Sequence, residues 1–317
     1  MTKIAFIFPG QGSQSVGMGA ELVANDEKSN QYYVRADEVL NLPLSDYMLN
    51  GPQETLTLTY HAQPALLTTG VMIAKKLLAA GIQPHFTAGH SLGEYSAFVI
   101  SEVLTFEDAV QTVHQRGVYM DEAVPAGQGA MAAILALDGE QLNAICEQVS
   151  ATGEVVQVAN FNCPGQIVIS GTKQGVDEAC KRAKEAGAKR ALPLVVSGPF
   201  HSALMQKAAN NLATAISTLA IQSPKIPVVS NVTSKLLTTP EQIQQEMVAQ
   251  VTSSVQWEQN VQTLIAQGVT VFIECGPGKV LSGLVKKIDR NVQTYCVYDE
   301  ASFAQVVEAS KEWTQWV

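Results

Sequence analysis

The sequence predicts an α/β fold built on a mostly parallel sheet, with a second, smaller unit inserted into it. Apolar runs such as Ile4-Ala5-Phe6-Ile7-Phe8, Phe86-Thr87-Ala88 and Val269-Thr270-Val271-Phe272-Ile273 each lead into a glycine-bearing loop, the pattern of strands buried on both faces. Helix-period segments separate these runs. Between residues 128 and 197 the order changes to β-α-β-β-α-β, that of a ferredoxin-like unit.

With 317 residues, 46% of them apolar, the chain can bury a sizeable core. A net charge of −9 with no dominant basic stripe excludes a general nucleic-acid binder. No uncharged apolar run approaches membrane-spanning length, and the apolar run near Met1 is too short for a signal peptide and is broken by Pro9-Gly10. The five cysteines lack CxxC spacing, and their odd number suits a reducing compartment, so no metal centre is expected. A cytoplasmic protein without nucleic-acid or membrane partners follows as the expectation.

Taken in order, Ile4 to Phe8 reads as the first buried strand, and the loop Pro9-Gly10-Gln11-Gly12-Ser13-Gln14 can face an anion with its backbone. Ser15 stands where a dinucleotide fingerprint needs its third glycine, which argues against a nucleotide cofactor. Residues 21–80 are mostly helical, with a break at Gly51-Pro52. Next comes Gly89-His90-Ser91-Leu92-Gly93-Glu94, followed by a helix-compatible run to Ile100. A serine between glycines at a strand-to-helix corner is the nucleophile-elbow pattern, which makes Ser91 the candidate nucleophile. The start of the following helix supplies a backbone N–H that can face an oxyanion. His90 points away from its neighbour across so sharp a turn, so a base must come from elsewhere.

Residues 106–119 have helical spacing and carry Gln115-Arg116-Gly117, where position alone reads Arg116 as a solvated cation. Within the inserted unit, residues 130–137, 155–159, 166–170 and 189–194 read as strands, and 140–149 and 175–186 as helices. The predicted large domain is discontinuous, 1–127 and 198–317, around the insert at 128–197. Ser197-Gly198-Pro199-Phe200-His201-Ser202 marks the return of the chain. Of the five histidines, His61, His85, His90, His114 and His201, only His201 stands in such a corner, which makes it the best base for Ser91. Residues 228–232 and 269–274 read as further buried strands. Cys275-Gly276-Pro277-Gly278-Lys279 is a turn without P-loop spacing, and the tail reads as an edge strand at 293–298 and an amphipathic helix from Glu300 to Trp316.

Gly10-Gln11-Gly12-Ser13-Gln14, Gly89-His90-Ser91-Leu92-Gly93-Glu94, Gln115-Arg116-Gly117, Asn160-Phe161-Asn162, Gly198-Pro199-Phe200-His201-Ser202 and Glu274-Cys275-Gly276-Pro277-Gly278 occur in this order. Together they resemble the malonyl-CoA:acyl carrier protein transacylases of fatty-acid synthesis, over nearly the whole chain. The resemblance implies an α/β-hydrolase-like domain carrying the ferredoxin-like insert. It implies malonyl transfer from malonyl-CoA to the phosphopantetheine thiol of acyl carrier protein through a serine ester, with no cofactor. By resemblance Ser91 is the nucleophile and His201 its base and acid. The N–H groups of Gln11 and Leu92 form the oxyanion hole, and Arg116 holds the substrate carboxylate. A main-chain carbonyl near Gln250 orients the histidine, and Phe200, Met120, Asn160 and Asn162 line the substrate pocket.

Phe200 beside His201 and Leu92 beside Ser91 look like malonyl-selective members more than methylmalonyl ones. Thr252 and Ser254 depart from the family's usual aromatic and proline, which implies a looser loop after Gln250. The alternatives are an acyltransferase acting in trans for a polyketide synthase, and an acyl-thioester hydrolase. The hydrolase needs an acid behind its histidine, and Asp138 lies in the insert, where it reads as a helix cap. Carriers of this family are acidic, so Lys189 and Arg190 from the insert and Lys286 and Lys287 from the large domain are expected to flank the cleft mouth.

Overall fold

The computed structural model describes residues 2–313, and the apolar runs form the middle of its larger sheet. The strands are β1 (Lys3–Phe8), β2 (Phe86–Gly89), β3 (Gly129–Leu135), β4 (Val156–Cys163), β5 (Gln166–Thr172), β6 (Arg190–Pro193), β7 (Val228–Val229), β8 (Leu236–Leu237), β9 (Val269–Cys275) and β10 (Gln293–Val297). Among the described residues they form a sheet in the order β10-β9-β1-β2-β7-β8, parallel except for β7–β8, and an antiparallel sheet in the order β4-β5-β3-β6.

Successive side chains of β1 point to opposite faces, and both faces are covered. Ile4, Phe6 and Phe8 enter a core with Leu66, Val71 and Phe98, whereas Ala5 and Ile7 enter another with Ala88, Trp257 and Val285. The first core is roofed by the helices Thr59–Ala79 and Phe106–Glu122, the second by Trp257–Ala266 and Val280–Ile288. Double coverage is why β1 shows no polar alternation.

The smaller sheet has β5 and β3 at its centre, the strand order of the ferredoxin-like unit. Its helices, Gly139–Ser150 and Lys173–Glu185, cover one face through Leu142, Ile145, Val176 and Ala179. From the other face Met131, Ala159 and Val168 join the core that contains Phe200 and Met120. The two sheets therefore meet along the segment that carries His201.

Two local expectations change, and a third runs past the described residues. The strand expected at 228–232 ends at Val229, because the Ser230 hydroxyl oxygen and the Glu246 carboxylate accept the N–H groups of Val232 and Thr233 and turn the chain. The loop after Gln250 is not loosened by Ser254: its hydroxyl donates to the Val158 carbonyl, and Val255 exchanges backbone hydrogen bonds of 2.8 and 2.9 Å with Ala159 and Phe161. The tail helix is described as Glu300–Trp313, and its expected end at Trp316 lies outside the described residues.

Glu274 explains why an acid closes β9. Its carboxylate is fully buried and accepts the N–H groups of Leu281 and Ser282 at 3.0 and 2.7 Å, which caps the helix Val280–Ile288. Glu274→Ala leaves those donors without partners, a loss of roughly 1–3 kcal/mol. A thermal melt should shift down by several degrees, and an unchanged melt would show that the cap contributes nothing.

Candidate active site

β2 stops at Gly89, the helix Gly93–Ile100 starts four residues later, and Ser91 between them is left-handed at φ 51°. Strain of this kind in a non-glycine residue persists only where its surroundings enforce it. They do so here by close approach. A Cβ on Gly93 would sit 2.0 Å from the Phe8 carbonyl oxygen, and one on Gly89 would sit 1.9 Å from the Gly93 carbonyl carbon. Asn231 fastens the corner from below: its Oδ1 accepts the Ser91 N–H at 2.7 Å and its Nδ2 donates to the Gly89 carbonyl at 2.7 Å. The N–H groups of Leu92 and Gln11, which line the same cleft, have no partner among the described residues.

His201 also has positive φ, 56°, and is buried. Its Nε2 lies 2.7 Å from Ser91 Oγ and its Nδ1 2.8 Å from the main-chain oxygen of Gln250. A carbonyl only accepts, so the ring proton sits on Nδ1 and the Nε2 lone pair faces the serine. Burial, then the nearby Arg116 cation, pushes the His201 pKa down to about 3. His90, as expected, turns away from Ser91, and its Nε2 meets Asn162 Oδ1 at 2.8 Å.

Arg116 is 1% exposed, which overturns the reading of a solvated cation. Gly117 lets its helix press on the helix Thr59–Ala79, since a Cβ there would lie 2.5 Å from the Tyr60 Cα. The guanidinium then reaches Gln63 Oε1 at 2.7 Å through Nη1, and Gln250 Oε1 at 2.8 Å and Ser91 Oγ at 3.2 Å through Nη2. Among the described residues no carboxylate stands at ion-pair distance from it, and its Nε has no partner. Burial lowers its pKa, opposed by Tyr95 and by Glu94.

Glu94, fully buried, accepts from Asn231 N–H at 2.8 Å, Asn231 Nδ2 at 3.0 Å and Gln250 Nε2 at 2.5 Å. Burial, then the adjacent Glu246 carboxyl, pushes its pKa well up, and burial raises that of Glu246 as well. Sequence reasoning assigned Glu94 no part and missed Gln63 and Asn231. A long polar side chain in a helix rich in apolar residues, as Gln63 and Glu94 are, must find partners if it is buried, and that was the signal available for both. Asn231 gave none, because it was read as part of a strand.

The cleft holds about 260 Å³ and is lined by Phe200, Met120, Asn160 and Asn162 together with Gln11, Leu92, Ser91, Arg116 and His201. The basic groups are arranged otherwise than expected. Arg190 pairs with Leu135, whereas Leu194, which lines the cleft, is held by Met131, so Lys189 and Arg190 sit at the far end of β6, about 13 Å along the strand. Lys286 is turned to the carbonyls of Arg290 and Val292 at the end of its own helix. Lys287 alone of the four reaches the cleft wall, through a 3.0 Å bond to Gln166 Oε1.

A hydroxyl held against a bare imidazole nitrogen, beside two unused backbone N–H groups and a buried cation, is equipped for acyl transfer. Among the described residues no group of three or more His, Cys, Asp or Glu is arranged to hold a metal ion, and no helix is long and apolar enough to cross a membrane.

A family model described as an acyl transferase domain matches residues 5–308. The malonyl CoA-acyl carrier protein transacylase of Bacillus subtilis is 52% identical over 312 residues, covering 98% of this chain and 98% of its own. The solved acyl carrier protein S-malonyltransferase of Vibrio cholerae superposes with a TM-score of 0.94 at 46% identity, covering 96% of this chain and 100% of that one. A malonyl-transacylase in complex with its type II PKS acyl-carrier protein gives a TM-score of 0.95 at 42% identity, over 97% and 100% of the two chains. At such identity over nearly the full length, the chain belongs to the acyl transferase family and, within it, to the malonyl CoA-acyl carrier protein transacylases.

Proposed function

We propose that this chain transfers the malonyl group from malonyl-CoA to the phosphopantetheine thiol of acyl carrier protein, supplying extender units for fatty-acid synthesis. The observation that carries the reading is Arg116: a buried cation without a carboxylate partner among the described residues, 3.2 Å from the Ser91 hydroxyl. A malonyl thioester brings the missing carboxylate and places its carbonyl against Ser91. His201 Nε2 takes the Ser91 proton as Oγ attacks, and the N–H groups of Gln11 and Leu92 receive the developing oxyanion. The imidazolium returns the proton to the departing thiolate of coenzyme A. The carrier thiol then enters by the same steps in reverse. Each half exchanges one acyl ester for another without redox change, so the reaction calls for no cofactor. The cleft volume, below the roughly 300–1,000 Å³ of sites that enclose drug-sized ligands, suits the acyl end of the thioester with the rest of the carrier outside.

Direct evidence would be a malonyl adduct on the intact protein after incubation with malonyl-CoA, seen by mass spectrometry and discharged by carrier thiol. No adduct with any acyl-CoA would overturn the reading. Transfer in trans for a polyketide pathway is a second reading, favoured by the similarity to a transacylase bound to its type II PKS carrier. Comparing fatty-acid and polyketide carriers as acceptors separates the two. We assign the domain boundaries near residues 128 and 197, where the chain enters and leaves the smaller sheet, and a cytoplasmic location.

His201 fixes the pH response. Free imidazole titrates at about 6.5, but a base lowered to about 3 stays neutral through the physiological range. Because kcat/KM reports the free enzyme, it should stay flat as pH falls from about 8 to about 5. An inflection near 6.5 would place the base in a more solvated setting.

Carrier docking we assign to the side of the cleft marked by Lys287, the one cation of the four expected that reaches its wall. Lys287→Glu should raise KM for the carrier and weaken its salt dependence, with acylation by malonyl-CoA affected less. Unchanged carrier kinetics would move the docking surface elsewhere.

A further inference from the structure

The partners of Arg116 are unusual for a buried cation, because they are neutral. Gln63 Oε1 takes Nη1 at 2.7 Å and Gln250 Oε1 takes Nη2 at 2.8 Å, and both glutamines are buried. The nearby acid, Glu94, meets Gln250 instead of the guanidinium. A carboxylate at either glutamine position would form the stronger, charge-assisted pair and occupy the donors that a substrate carboxylate needs. A neutral amide holds the side chain in place and leaves its charge uncompensated.

The Gln250 amide can take only one orientation. Its Nε2 donates to the Ser91 carbonyl at 3.0 Å and to Glu94 Oε2 at 2.5 Å, so its oxygen must face Arg116. Reversal would set oxygen against the carboxyl and the carbonyl, and nitrogen against the guanidinium. Glu94 is itself fixed by both N–H donors of Asn231.

We propose that Gln63 and Gln250 are specificity-determining positioning residues, which hold Arg116 by neutral oxygens so that its charge remains for the acyl carboxylate, with Glu94 locking the Gln250 amide. The inference rests on the malonyl reading of Arg116 above, and it predicts that the neutrality of these two positions, beyond their shape, sets the acyl preference.

Gln63→Glu keeps side-chain length and hydrogen-bond reach but adds a charge. The ratio of kcat/KM for malonyl-CoA over acetyl-CoA should fall at least about 100-fold. Gln63→Met, of similar length and neutral, should lower that ratio less than about tenfold. Gln250→Glu carries the same expectation as Gln63→Glu from the other side, should the first variant not fold. Acyl-enzyme formation with acetyl-CoA reports folding in each. A ratio retained in Gln63→Glu, or one that collapses equally in Gln63→Met, overturns the inference. Arg116→Ala keeps the two levels distinct. If it abolishes the malonyl preference while Gln63→Glu does not, the inference fails and the malonyl reading stands. If it lowers malonyl and acetyl transfer equally, the malonyl reading itself fails.

Discussion

Ser91→Ala should leave no covalent malonyl adduct on the protein, and His201→Ala should slow adduct formation by about 10³-fold or more. The two losses have different physical sources. Without the Ser91 hydroxyl there is no atom to carry a stable ester: the N–H donors of Gln11 and Leu92 and the Arg116 cation are not nucleophiles, and an acyl group taken by the His201 imidazole is too labile to persist as an adduct. Without His201 the hydroxyl remains, 3.2 Å from Arg116 Nη2, and the unused N–H groups remain to receive the oxyanion. Some acylation should therefore persist. Mass spectrometry of each variant after incubation with malonyl-CoA makes the distinction. Full labelling of Ser91→Ala would place the nucleophile elsewhere, and a His201→Ala rate within tenfold of wild type would mean that another group takes the proton.

The parts of this site that were legible in the sequence are those in which local chain chemistry and function coincide. Gly89 and Gly93 betray a corner because only glycine tolerates contacts of 1.9 and 2.0 Å, and a serine set in that corner is presented to the cleft. His201 follows a Gly-Pro pair where the chain returns from the smaller sheet. Arg116 was not legible in the same way. Helical spacing placed it on a solvated face, and its burial depends on a second helix, more than 30 residues earlier, closing on Gly117. Only the resemblance gave it a role. Asn231 was lost for a related reason: a run of β-prone residues looked like strand, but the Ser230 hydroxyl and Glu246 divert the backbone after Val229, and the asparagine then meets Ser91 from 140 residues away in the chain. The basic residues failed at the same level. Their clustering in sequence was real, but strand direction carried Lys189 and Arg190 away from the cleft, and a helix C-terminus claimed Lys286. Contacts that are long-range in sequence leave no local pattern, and this site is held together mostly by such contacts.

Arg116→Ala should cost malonyl transfer about 2–5 kcal/mol, while acetyl transfer stays level or rises. The size follows from burial. A carboxylate brought into this cleft loses its water, and the guanidinium is what replaces it; with alanine there, the malonyl group carries a desolvated charge with no partner. An acetyl group brings no charge, and in the wild-type site it leaves the Arg116 cation uncompensated in a closed cleft. Removing the cation lifts that penalty. A second consequence is measurable on the same variant. Arg116 is the main charge depressing His201, after burial itself, so its loss should move the His201 pKa up from about 3 toward the ordinary imidazole range. The acid limb of kcat/KM for acetyl-CoA should then shift to higher pH, because protonation removes the base sooner as pH falls. Profiles of kcat/KM against pH for malonyl-CoA and acetyl-CoA, in wild type and variant, test both effects together. Equal losses for the two acyl groups, with an unmoved acid limb, would mean that Arg116 braces the helices Thr59–Ala79 and Phe106–Glu122 and does not read the substrate.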